Sequence, residues 1–138
     1  MSAIVVPKAL VASIREQALA EMPNEACGYL AGEVSADGSL TAVERLPMTN
    51  ADASPEHFSF DPKEQFAAMK AARESGLRLI SVYHSHPETP ARMSDEDIRL
   101  ANDTGTVYLI YSVRDDVIKG FTIDRDKTVS PFPVHLGD

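Results

Sequence analysis

The segment LRLISVYH, Leu77–His84, narrows the folds open to this 138-residue chain more than any other. Strand-forming apolar residues occupy both of its alternating sets, so a strand here is buried on both faces and lies inside a sheet covered on both sides. In strict alternation Leu77, Leu79, Ser81 and Tyr83 share one face, and Arg78, Ile80, Val82 and His84 the other. The covering helices are legible. Lys8–Glu21 carries Leu10, Val11, Ile14 and Ala18 at helical spacing and stops at Pro23 and Asn24. A second helix opens at Asp61-Pro62, with Asp61 as N-cap and Pro62 at the first helical position, and runs to about Ser75-Gly76. Ser94–Asn102 is a third candidate. Cys27–Val34 and Ser39–Pro47 read as a hairpin around Ala36-Asp37-Gly38, and Thr106–Val113 and Val117–Asp124 as another. The chain starts with a strand, and the tail VSPFPVHL adds an edge strand, because its prolines exclude a central place. Polar Thr49–Phe58 is a loop before the short alternation Phe58-Ser59-Phe60. The expectation is an α/β fold, a mixed sheet with helices on both faces, in a single domain covering residues 1–138.

Composition limits function. With 43% hydrophobic residues, the chain can bury a core without disulfides or a structural metal. A net charge of -8 and the absence of any basic run exclude nucleic acid as the primary partner. The one cysteine, Cys27, has no partner for an intrachain disulfide. The N-terminus lacks a basic stretch followed by an apolar core, and no apolar run approaches the roughly 18 residues that span a bilayer. A soluble, cytoplasmic protein with no membrane partner is expected.

Chemistry concentrates in YHSHPETPARMSDED, Tyr83–Asp97. His84 and His86 are two apart, so an extended backbone points both imidazoles to one side. Pro87 and Pro90 mark a loop, after which Ser94 has the form of an N-cap with three acids behind it. Ser94 with Asp97 three residues on is a capping box, and acids in a first turn suit the helix dipole whatever the protein does. The histidines add a second reading. A tight loop that brings this turn over the imidazoles lets Asp97 complete a His, His, Asp set with a fourth position open, the arrangement of a catalytic zinc site. Hydrolysis also needs a proton carrier, and no HExxH helix supplies one. Glu25, where a helix gives way to a strand, is a sensible donor. Glu21 and Glu33 are equally open on composition.

Taken together, Glu25 in EACGYLAG, HSHP at His84–Pro87, Ser94 and Asp97 resemble the JAMM motif of the MPN-plus (Mov34/JAB1-type) zinc metalloproteases. That motif is E…HxHP…SxxD, with ten residues between the second histidine and the aspartate, as here. NADASPEHFSFDPKEQFAAM is similar to the corresponding segment of the short stand-alone prokaryotic members. The resemblance implies a cytidine-deaminase-like fold and a Zn2+ held by His84, His86 and Asp97. It implies Glu25 as general acid and base, and Ser94 as a stabiliser of the oxyanion. The implied reaction is cleavage of a peptide or isopeptide bond after the C-terminal Gly-Gly of a ubiquitin-like protein, with a small sulfur-carrier protein the first choice. The tail is expected between loops Thr49–Phe58 and Glu88–Met93. Such domains often pair, which makes a homodimer the oligomer the resemblance offers.

Other readings divide on the motif. A non-catalytic MPN scaffold that binds proteins typically has lost part of the zinc motif, which is intact here. A deaminase needs HxE and PCxxC, which one cysteine excludes. RadC-like proteins with similar spacing carry a further DNA-binding region, and this chain is acidic. Cys27 reads as a small buried hydrophobe, His57 and His135 as ordinary histidines, and Asp95 and Glu96 as solvated first-turn acids. These leave no set for a second, structural zinc.

Overall fold

The structure, a computed structural model, describes residues 2–138, and these form eight strands and three helices. In chain order they are β1 (Ile4–Pro7), α1 (Lys8–Glu21), β2 (Cys27–Val34), β3 (Leu40–Met48), α2 (Pro62–Glu74), β4 (Arg78–His86), α3 (Asp95–Leu100), β5 (Val107–Ser112), β6 (Val117–Ile123), β7 (Val129–Phe132) and β8 (Val134–Gly137). The strands make one mixed sheet in the order β7-β6-β5-β4-β2-β3-β1-β8. β4 is central, antiparallel to β2 and parallel to β5. This is the covered position its two-sided apolar character requires.

The two faces bury different layers. Ile14 and Ala18 of α1 pack with Leu30, Ala42, Ile80, Tyr83 and Leu109 on one face. Ala68 of α2 packs with Cys27, Tyr29 and Met48 on the other, and Ile98 of α3 joins Tyr108 and Ile123 there, with Val82 between the two groups. Strict alternation in β4 is broken. The β2–β4 register shifts between Leu30 and Ala31, whose partners are Ser81 and Leu79. The bulge adds Ile80 to one side of the ladder and reverses the phase. Leu79 therefore lies with Val82 and the α2 layer, while Ile80 lies with Tyr83 and the α1 layer. C-terminal to the bulge the alternation resumes, and it is this portion that sets the histidine faces.

Helix signals behave as their chemistry requires. The Asp61 side chain accepts from the Lys63 N–H, and Pro62 opens α2. Ser94 caps α3, but that helix ends at Leu100, short of Asn102. Phe58–Phe60 is less regular than its alternation suggests, forming only a bridge between Phe60 and Asn50. The tail departs most from expectation. It forms two edge strands, β7 on β6 and β8 on β1, joined through Pro133 although they bound opposite edges of the sheet. The sheet therefore curls until its edges approach, and the Ile4 N–H donates to the Pro133 carbonyl at 3.0 Å. Gly120 of β6 permits the closure, since a Cβ there would lie 2.8 Å from the Phe132 carbonyl. No described helix is long and apolar enough to cross a membrane.

Candidate metal centre

β4 extends two residues beyond the expected strand, so both histidines sit on regular backbone, in register with Ile110 and Ser112 of β5. The carboxyl ends of neighbouring parallel strands form a crevice, and here it is lined by polar side chains. His84, Ser85, His86 and Ser112 are all buried. The two imidazoles turn to the same side, with Nε2 atoms 3.2 Å apart.

The connection from β4 to α3 brings Asp97 to them. His86 Nδ1 lies 2.9 Å from the Pro90 carbonyl, and the Ser112 hydroxyl donates to the Thr89 carbonyl at 2.7 Å, which folds the loop back over β4 and β5. The capping box is complete: the Asp97 N–H donates to Ser94 Oγ, and the Ser94 N–H donates to Asp97 Oδ2, each at 3.0 Å. The two readings of this pair are therefore one arrangement. The cap fixes the carboxylate with Oδ1 3.2 Å from His84 Nε2 and Oδ2 2.9 Å from His86 Nε2. Ser94 Oγ accepts the cap bond, and its own proton has no acceptor among the described residues.

These atoms fit a metal. Nitrogen and oxygen ligands about 2.0–2.2 Å from a tetrahedral ion lie about 3.3–3.5 Å from one another. The 3.2 Å between the two Nε2 atoms matches one edge of that tetrahedron, and the Asp97 carboxylate presents a different oxygen to each ring, Oδ1 3.2 Å from His84 and Oδ2 2.9 Å from His86. His86 Nδ1 donates to the Pro90 carbonyl, so loss of the Nε2 proton shared with Asp97 would leave the Nε2 lone pair facing inward. His84 Nδ1 has no hydrogen-bond partner among the described residues, and its ring rests on Phe58 with centroids 4.8 Å apart.

Glu25 enters from the turn between α1 and β2. One ligand atom from each of Glu25, His84 and His86 lies within 4.8 Å of the others, so the glutamate is itself within reach of an ion held by the histidines. Glu25 thus stands beside the two histidine nitrogens. Its side chain is 2% exposed, and Oε1 has no hydrogen-bond partner among the described residues. Burial pushes its carboxyl up to about 9, with the negative charges of Asp97 and Glu56 adding to the effect. Asp97 goes the other way. Burial opposes its ionisation, but hydrogen bonds from His84 and His86, the His84 charge and the Ser94 N–H hold it well below the usual carboxylate range. The same contact raises His86: burial disfavours its charge, and the Asp97 and Pro90 acceptors outweigh that. Two buried carboxyls are thereby driven apart in proton affinity, a pattern concentrated at functional sites.

A cavity of about 570 Å³ opens beside His84 and Asp97. Asp52, His57 and Phe58 line it from the loop before α2, Met93 from the loop before α3, and Leu79 and Val82 from β4. His57, read as an ordinary histidine, is part of this wall, with Nδ1 3.0 Å from Asp52 Oδ2. Cys27 is buried against Met48 and Tyr29, as a small hydrophobe would be. Asn50, Phe58 and Ser85 support the site without having been singled out in the sequence; only the polar character of a buried Asn or Ser could have flagged them.

A mixed sheet thus gathers two histidines, an aspartate and a buried glutamate at the end of parallel strands, a cluster compatible with a metal site. Residues 7–124 match the family of prokaryotic homologs of the JAB domain, and the chain belongs to that family. It is 35% identical over 112 residues, 81% of this chain and 75% of the relative, to the CysO-cysteine peptidase of Mycobacterium tuberculosis. It is 33% identical to the probable TtuB-protein conjugate cleaving protease of Thermus thermophilus, over 91% of this chain and 79% of that one. The desampylase of Haloferax volcanii is 35% identical, over 75% and 73%. A solution structure from Desulfitobacterium hafniense superposes with a TM-score of 0.89 at 40% identity, covering 98% of this chain and 93% of the other.

Proposed function

We propose that this protein is a zinc-dependent peptidase or isopeptidase that cleaves after the C-terminal Gly-Gly of a ubiquitin-like protein, with a small sulfur-carrier protein as the first substrate. The observation that carries the reading is the convergence of His84, His86 and Asp97, with contacts of 2.9–3.2 Å, and beside the histidines the buried Glu25 carboxyl, whose Oε1 has no partner among the described residues. The relatives named for CysO-cysteine, TtuB-protein conjugates and desampylation support the substrate class.

His84 Nε2, His86 Nε2 and an Asp97 oxygen would hold the ion, which supplies activation of water near neutral pH and polarisation of the scissile carbonyl. The remaining work falls to the chain. Without metal Glu25 holds its proton. Beside the positive charge of a bound cation its carboxylate form is favoured, and that carboxylate takes a proton from the attacking water and returns it to the departing amine, with Oε1 free of other bonds among the described residues. Ser94 donates its free hydroxyl proton to the oxyanion that forms at the former carbonyl. Asp97 keeps the imidazoles in place. The walls at Phe58, Val82 and Met93 exclude water from one side and give the substrate tail an apolar channel.

The test is incubation of the purified protein with a sulfur-carrier protein extended beyond Gly-Gly, read by mass spectrometry. The product mass ends at Gly-Gly. Extended carriers that stay intact in the presence of zinc-loaded protein contradict the reading.

A further inference from the structure

We infer that Asn50 is the positioning residue for Glu25, tying the proton carrier to the loop that walls the substrate cavity. The inference rests on Glu25 acting as proposed above. A carboxyl that swings freely spends little time in line with its proton, and Glu25 Oε1 has no hydrogen bond to fix it among the described residues. Its aim is therefore set through the main chain. The Glu25 N–H donates to the Ser54 carbonyl at 2.9 Å, and the Glu25 carbonyl accepts from Asn50 Nδ2 at 3.1 Å. Asn50 Nδ2 also lies 3.3 Å from that same Ser54 carbonyl and 3.0 Å from the carbonyl of His57. One amide group thus holds both the Glu25 carbonyl and the group to which the Glu25 N–H is bonded.

The other end of the Asn50 amide organises the cavity wall. Its Oδ1 accepts from the Asp52 N–H at 3.0 Å and the Ser59 N–H at 3.4 Å. Asp52 in turn meets His57 Nδ1 and accepts from the Ser59 hydroxyl. Asn50 is 6% exposed, so each of these bonds replaces one that water cannot supply. An asparagine amide carries two donor N–H bonds on one atom and an acceptor oxygen on another, so it can donate to carbonyls on one side while accepting N–H groups on the other. Aspartate preserves only the accepting half.

Asn50→Ala and Asn50→Asp separate these roles. Hydrogen exchange of the Glu25 amide reads the clamp without turnover. It should speed up on the order of tenfold in both variants, while Asp52 stays protected in Asn50→Asp and amides of the central strands are unchanged in both. Zinc content stays at the wild-type level, and kcat on the extended carrier falls 10- to 100-fold, the scale for misplacing a reacting group by about 1 Å. KM moves less than kcat. If Asn50→Ala does not fold, Asn50→Asp decides alone. Wild-type Glu25 exchange or turnover within twofold of wild type in a zinc-loaded variant overturns the inference. Should the wild type itself leave the carrier intact, the proposed reaction fails, and the exchange measurement still accepts or rejects the clamp.

Discussion

The most informative perturbation of stability is Glu25→Gln in metal-free protein. In the unfolded chain this carboxyl titrates near 4.5, and burial with the nearby Asp97 and Glu56 charges pushes it up to about 9 in the fold. The native state therefore binds the extra proton. Its contribution is fully present below pH 4.5 and is lost as pH rises towards 9, at up to about 1.4 kcal/mol per pH unit. Between pH 5 and pH 8 that amounts to about 4 kcal/mol, a large share of a typical domain's stability. Glutamine is close in shape and uncharged, so it removes the slope. Asp97 acts in the opposite direction but at acid pH, because its depressed carboxyl loses stability only as pH falls. His86 is raised and adds a decline on the alkaline side in both proteins. The difference between wild type and variant isolates Glu25. Urea unfolding in chelator at pH 5 and pH 8 should show the variant gaining on wild type as pH rises, with a melting temperature higher at pH 8 by on the order of 10 °C. Parallel pH profiles would refute the assignment of a buried, proton-holding carboxyl.

The ligand set has its own test: elemental analysis should find one zinc per wild-type chain and none in His84→Ala or Asp97→Ala. Both variants remain folded, the second losing about 1 kcal/mol with its capping box. The Cys27 thiol, pushed up to about 12 chiefly by burial, should resist iodoacetamide at pH 8 until the protein is unfolded. Replacing either tail glycine of the carrier with a bulky residue should slow cleavage on the order of 100-fold, because a side chain displaces the scissile bond from the metal face. Equal rates for such tails would place the cleaved bond outside a Gly-Gly channel.

Residues whose local chemistry and long-range role coincide were legible in the sequence. Asp61-Pro62 opens a helix for reasons contained in the two residues, and Ser94-x-x-Asp97 forms its capping box in the same way. His84 and His86 share a face because two-residue spacing on a strand requires it. The bulge at Ile80 was not legible, since it depends on how β4 meets β2. Nor was the division of the tail into two edge strands, which requires the whole sheet to curl. Within the site, spacing left Glu21, Glu25 and Glu33 open as proton carriers. The segment entering β2 buries Glu25 beside the histidines, while Glu33 lies at the exposed end of that strand. Asn50 escaped notice because an asparagine in a polar loop carries no periodic signal, and its five contacts come from segments up to 25 residues away.

The central claim is that one metal face and one separate proton carrier act together, and the paired measurement on Glu25→Gln tests it most directly. Zinc content and cleavage of the extended carrier are determined on the same zinc-loaded preparation. Glutamine cannot take up and return the proton, and Glu25 stands beside the His84 and His86 nitrogens. The variant should keep its zinc and still bind the carrier, while turnover falls on the order of 10²- to 10⁴-fold. A Glu25→Gln protein that cleaves as fast as wild type, or that loses its zinc, contradicts the account.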